Sequence, residues 1–294
     1  MQTPAAMRKG DSISPGFTES AARPIRNMTP TPWVNPVKQK LQQGKPVVAA
    51  TITVPSVEVA AHAANMGFDF LWVEMEHSPI TLETLRNIVH ATRALPAMTF
   101  ARVPVNELWT AKRVLDAGVS GVIFPFSSTP ELVQQAAAAC RYPPRGRRGS
   151  GANLATFTWP DGERYHDSAD ENVMVITIVE EARAVDRIDE IAATPGVDAL
   201  FIGTSDLSFS LGLRGDQNHP KLHEAIAKVV EAGKRHGKIL GRPGITPERF
   251  EEYQKQGFLL FQAPTDIGFM AAGARRYLEP LGKANNKLPP RPLY

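Results

Sequence analysis

Four polar residues each follow a short apolar run. His77 stands in Val73-Glu74-Met75-Glu76-His77-Ser78-Pro79, and Arg102 ends Phe100-Ala101-Arg102. Glu180 closes Ile176-Thr177-Ile178-Val179-Glu180, and Asp206 closes Leu200-Phe201-Ile202-Gly203-Thr204-Ser205-Asp206. Two carboxylates, a guanidinium and an imidazole are the parts of a divalent-metal site with a charge clamp and a base. Mg²⁺ or Mn²⁺ prefers oxygen ligands and often takes one or two protein carboxylates, leaving room for water and substrate. The planar fork of Arg102 suits a carboxylate or a developing enolate oxygen. Histidine exchanges a proton near neutral pH, and Glu74, three residues before His77, supplies a carboxylate to orient it. Gly203 permits a sharp turn, after which the amides of Ser205 and Asp206 open a helix and suit a substrate carboxylate.

Each position also has a plainer reading. Glu180 and Asp206 are acids of the kind found at helix starts. Arg102 also reads as a structural ion pair, and His77 as a loop histidine bonded to backbone. Glu181 competes with Glu180 for the metal, whereas Asp198 opens its strand at the wrong end. Arg148 offers a second arginine for substrate binding from a long loop. His219 and His223 sit four apart on one helix, but no glutamate follows the first, so they do not read as a zinc pair. No lysine stands at the C-terminal end of an apolar run. A Schiff-base mechanism needs a desolvated lysine, so its absence favours metal chemistry.

The elements that position these residues alternate regularly. Apolar, β-branched runs at 47–53, 70–74, 99–102, 121–124, 173–179, 199–202, 238–240 and 258–261 predict eight strands. Helical patterns fall at 57–66, 82–94, 107–117, 130–140, 183–193, 220–236, 247–255 and 266–281. This alternation argues for parallel strands with helices outside, and eight repeats argue for a closed (β/α)8 barrel. The strand ends then converge on one face. Gly67, Gly118 and Gly257 follow helices as C-terminal caps would. The segment 141–172, with Pro143-Pro144-Arg145-Gly146-Arg147-Arg148-Gly149-Ser150-Gly151, breaks the rhythm. Placed after the fourth strand, it is expected to hang over the active face and to carry specificity.

Composition sets the limits. The 294 residues suffice for one such barrel, which needs about 250. With 33 basic and 30 acidic residues intermixed and a net charge of +3, there is no basic stripe for nucleic acid. No apolar run approaches the roughly 18 residues of a membrane span. The single Cys140 makes no internal disulfide, which fits a reducing, cytoplasmic setting. Residues 1–35 are proline-rich and aperiodic and read as a flexible arm, residues 36–283 as the catalytic barrel, and residues 284–294 as a loose tail.

Taken together, the motifs resemble the HpcH/HpaI aldolase/citrate lyase family, in particular its metal-dependent (class II) pyruvate aldolases of the 4-hydroxy-2-oxoheptanedioate type. The likeness runs from about residue 36 to 281. It rests on Phe68-Asp69-Phe70 through Glu76-His77-Ser78-Pro79, on Arg141-Tyr142-Pro143-Pro144-Arg145-Gly146-Arg147-Arg148-Gly149, and on Gly196-Val197-Asp198 through Gly203-Thr204-Ser205-Asp206-Leu207-Ser208. It implies a barrel of the phosphoenolpyruvate/pyruvate type whose last helix packs on a neighbouring subunit, usually in a hexamer. It also implies Mg²⁺, Mn²⁺ or Co²⁺ on Glu180 and Asp206, pyruvate chelated there, Arg102 on the enolate oxygen and His77 as base.

The chain departs from the family pattern at Glu74 (usually Asp), Ile178 (usually Gln), Gly203-Thr204-Ser205-Asp206 (usually Gly-Pro-Ala-Asp) and Ala263-Pro264-Thr265-Asp266, which lacks the usual glycine. These changes bear on the acceptor more than on the enolate core. They leave a second reading, oxaloacetate decarboxylation feeding C–C bond formation of the macrophomate synthase type. A CoA-ester lyase is a weaker third, because no basic CoA groove is evident.

Overall fold

The computed structural model describes residues 33–283. The unit Met1–Thr31 and the tail from 284 lie outside the described residues, as do most of the expected arm and all of the expected tail. Eight parallel strands close in sequence order into a barrel. They are β1 (Val47–Ile52), β2 (Phe70–Glu74), β3 (Met98–Arg102), β4 (Gly121–Phe124), β5 (Met174–Val179), β6 (Ala199–Ile202), β7 (Ile239–Arg242) and β8 (Phe258–Thr265). Strands sandwiched between barrel interior and helices must be apolar on both faces. Accordingly every residue of β2 and β5 is buried.

Phe70, Trp72, Phe100, Ile123, Ile176, Phe201 and Leu260 fill the interior, while Leu71, Val73, Ala101, Val122, Val175 and Leu200 face the helices. Each Val, Leu, Ile or Phe among them contributes about 1.5–3 kcal/mol on burial. The Trp72 and Phe201 rings meet with centroids 4.8 Å apart. Only glycine fits beside them on β7, since a Cβ on Gly241 would lie 2.6 Å from the Phe201 ring.

The lower rim is closed by a helix that the periodicity did not show, Pro36–Gln42. Its cap, Asn35, is fully buried. The Asn35 side-chain amide donates to the carbonyls of Ser120 (3.1 Å) and Asn172 (2.9 Å). Trp33 stacks edge-on against Trp159 at 4.9 Å. Residues 33–35, assigned to the arm on sequence, are thus seated on the barrel. Asp198 sits on this rim too: it accepts the Val175 N–H at 2.8 Å and pairs with Lys38 at 3.0 Å.

The segment 141–172 corrects an expectation. A helix, Pro130–Ala139, intervenes between β4 and this segment, so the segment leads into β5 at the lower rim and does not overhang the face where strands end. It is not one loop: it folds into helices Asn153–Thr158 and Tyr165–Asn172 around a short 3-10 turn. The indole N–H of Trp159 donates to the Gly118 carbonyl at 2.9 Å, which ties the segment to the helical layer. The expected helix 183–193 is two, Ala182–Asp186 and Ile188–Ala193. The last long helix, Asp266–Leu278, buries none of its residues. Among the described residues no helix is long and apolar enough to cross a membrane.

Candidate functional site

At the upper rim, β2 ends on Glu74. Its buried carboxylate organises the turn that follows, accepting the backbone N–H of Glu76 at 2.8 Å and of His77 at 3.1 Å. Its second oxygen takes the Trp72 indole N–H and Arg102 Nη1, both at 3.3 Å. A carboxylate satisfied by four donors is a rigid anchor. Because Glu74 reaches the His77 backbone, the carboxylate beside the imidazole is a different one: His77 Nε2 lies 3.7 Å from Glu76 Oε2.

β3, paired in register with β2, brings Arg102 alongside Glu74. The guanidinium contacts three carboxylates, Glu74 Oε2 at 3.3 Å, Glu76 Oε2, and Glu180 Oε2 at 3.7 Å. Glu76 was missed at the sequence level. It lies two residues beyond the end of β2, in the turn that Glu74 organises, where strand periodicity gives no guidance.

Glu180 follows β5 and is 1% exposed. Its Oε1 accepts the Phe126 N–H at 2.6 Å. Phe126 holds this position with φ of 46°, a left-handed conformation uncommon for a residue with a side chain. No sequence signal marked it. Gly203 must be glycine, because a Cβ there would stand 2.9 Å from the Glu180 Cβ. The helix Thr204–Ser210 starts at Gly203, and its first internal bond runs from Leu207 N–H to the Gly203 carbonyl at 2.9 Å. The earlier amides of Ser205 and Asp206 therefore point out of the helix end. The Asp206 side chain is exposed.

The electrostatics are unbalanced. Burial pushes the Glu180 carboxyl up to about 7; the Phe126 N–H and Arg102 oppose this, and the charges of Asp206 and Glu181 add to it. Burial also raises Glu76 to about 7, with Arg102 opposing and Glu180, Glu74 and Asp206 reinforcing. Three carboxylates thus contact one arginine, and the charge of a fourth, Asp206, is felt by both Glu76 and Glu180. This excess of oxygen donors and negative charge fits a divalent cation. No trio of His, Cys, Asp or Glu among the described residues is arranged to hold a metal. Asp206 lies near enough to Glu180 for its charge to raise that carboxyl, so two oxygen donors are available together at this rim.

Other candidates lie elsewhere. Arg148 is a correction: its side chain is fully buried in the helical layer, bonded to Tyr165 Oη at 2.7 Å and Asp116 at 3.4 Å. Because its segment belongs to the lower rim, it is not a substrate ligand. Glu181 accepts from Ser128 and pairs with Arg183 at 2.7 Å, which takes it out of competition with Glu180. Lys238 Nζ donates to the carbonyls of Thr194 and Val197, at 2.8 and 2.9 Å.

The HpcH/HpaI aldolase/citrate lyase family model matches residues 52–272. The chain belongs to the HpcH/HpaI aldolase/citrate lyase family. By class it is a carbon–carbon lyase. It is 30% identical over 253 residues to a hydroxypyruvate/pyruvate aldolase of Paraburkholderia phytofirmans, covering 84% of this chain and 97% of that one. The fold is shared with a family protein from Burkholderia cenocepacia, with TM-score 0.78, 33% identity, and coverage of 85% of this chain and all of that one. Macrophomate synthase has the same fold, with TM-score 0.71 and 24% identity, covering 83% of this chain and 89% of that one.

The raised carboxyls predict a pH effect. An acid at about 7 when folded and near 4.5 when unfolded binds more protons in the folded state between those values. The metal-free protein is therefore most favoured by this group below pH 4.5 and loses stability as pH rises through 7. Glu180→Gln removes that loss. Its melting temperature in chelator should gain on the parent's steadily from pH 5 to pH 7.5. A constant difference across that range would show that Glu180 titrates normally.

Proposed function

We propose that this chain is a divalent-metal-dependent aldolase that cleaves or forms a C–C bond of 4-hydroxy-2-oxo acids through a pyruvate-type enolate. The observation that carries this reading is Arg102, held among Glu74, Glu76 and Glu180 with Asp206 beside them. Mg²⁺, Mn²⁺ or Co²⁺ on Glu180 and Asp206 would supply Lewis-acid polarisation of the 2-oxo group.

The protein groups do the rest. The amides of Ser205 and Asp206 receive the substrate carboxylate. His77, half-exposed at the rim, accepts the proton of the 4-hydroxyl. The C3–C4 bond breaks, the aldehyde leaves, and the electron pair moves into the enolate, whose oxygen Arg102 stabilises by charge-assisted hydrogen bonding. A proton delivered to C3 completes the 2-oxo acid.

A second reading uses the same core. Loss of CO₂ from oxaloacetate gives the same enolate without a base, and Arg102 is held by glutamates rather than by His77. The test is to load the protein with Mg²⁺, Mn²⁺ or Co²⁺ and to measure pyruvate release from a panel of 4-hydroxy-2-oxo acids, with oxaloacetate included. Release from the aldols supports the aldolase, release from oxaloacetate alone supports the decarboxylase, and release from neither removes both. The reading includes an oligomer, a hexamer on family likeness, in which the unburied helix Asp266–Leu278 packs on another copy. A stable monomer in sedimentation would contradict that part.

A further inference from the structure

One polar side chain on the barrel's inner wall has no task in this scheme. On β8, Leu260 belongs to the interior cluster and Phe261 to the outer one. Alternation then turns Gln262 inward, and its register partner Ala49 is an interior residue as well. In an eight-stranded barrel the interior is built in layers of four, one residue from every second strand. Following the registers from Ile178 through Phe201 and Gly241 to Leu260 places Gln262, two residues on, level with Trp72, Ile123 and Phe201. Those three are 1%, 0% and 2% exposed, whereas Gln262 is only half-buried. Gln262 is therefore the accessible member of its layer. Gly203, the β6 position above Phe201, contributes no side chain to block it.

The Gln262 amide makes no hydrogen bond with any described residue. Its polar neighbours are committed: Thr51 Oγ1 donates to the Ala263 carbonyl at 3.0 Å, and the Trp72 indole donates to Glu74. Neither atom of this amide is among the buried unpaired ones, so its donor and acceptor capacity stays open to an incoming group. Its layer-mates are Trp, Ile and Phe, with no cation among them, so a second carboxylate would be desolvated there without a partner. A hydroxyl, which both donates and accepts, matches an amide.

Building on the proposed function, we propose that Gln262 is a specificity-determining residue that binds a hydroxyl carried on the chain of the 2-oxo acid. The site then favours a hydroxylated 2-oxo acid over its unsubstituted counterpart.

The experiment follows exchange of the C3 protons of hydroxypyruvate and of pyruvate into D₂O by NMR, in metal-loaded enzyme. Exchange reports enolate formation without any acceptor. Gln262→Met keeps the size and removes the hydrogen bonds. It should lower the hydroxypyruvate-to-pyruvate ratio of kcat/KM about 10-fold, the worth of one net hydrogen bond. Gln262→Ala, which only deletes atoms, should lower the same ratio and serves if the first variant does not fold. An unchanged ratio in both variants overturns the proposal while leaving the aldolase reading intact. Absence of metal-dependent exchange with either acid in the parent enzyme overturns the aldolase reading and the proposal with it.

Discussion

Asp206→Ala is expected to remove divalent-metal binding and to lower turnover by about 10³-fold or more, because Lewis-acid stabilisation is worth several kcal/mol and each 1.4 kcal/mol is tenfold. Asp206 is the cleaner of the two proposed ligands to remove. Its side chain is exposed, so truncation leaves no buried group unpaired and the fold should melt as before. Glu180→Ala should lose metal equally, but it also strips the Phe126 N–H of its acceptor, and a buried donor left unsatisfied costs about 1–3 kcal/mol. Isothermal titration with Mn²⁺ alongside thermal melts separates these effects. Undiminished Mn²⁺ affinity in Asp206→Ala would take that residue out of the metal site.

His77→Ala and Arg102→Ala should behave differently from each other. Aldol cleavage needs a base for the 4-hydroxyl proton, so His77→Ala should slow it by roughly 10²-fold or more. Oxaloacetate decarboxylation reaches the enolate by losing CO₂ and should suffer much less. Arg102→Ala should damage both reactions, since both place negative charge on the enolate oxygen. It also leaves Glu74, Glu76 and Glu180 without the one cation among them. Arg102→Lys should not rescue it, because a point charge cannot hold three carboxylates in one plane-set geometry. Equal losses of the two activities in His77→Ala, with metal binding retained, would show that His77 is not the aldol base.

The barrel was legible because strands buried on both faces must be continuously apolar, and eight such runs separated by helical periods leave one architecture. β2, β4 and β6 were read to the residue. β8 was read short, since Gln262 and Pro264 interrupt its apolar run although the strand continues to Thr265. The lower-rim helix Pro36–Gln42 escaped notice because it buries only Val37 and Leu41, too few for a visible period. Within the site, residues at strand ends were readable: Glu74, Arg102 and Glu180 come together as their positions implied. Glu76 was not, because its role comes from the turn that Glu74 ties down. Arg148 misled for a topological reason. Its segment is rich in arginine and glycine, as functional loops often are, but a helix between it and β4 carries it to the opposite rim.

The most direct test of a metal-dependent enolate site is exchange of the methyl protons of pyruvate into D₂O, followed by NMR. The parent protein should catalyse exchange when loaded with Mn²⁺ or Mg²⁺, stop when chelated, and resume when metal is restored, while Asp206→Ala should stay inactive throughout. Exchange that continues undiminished in chelator would contradict the account.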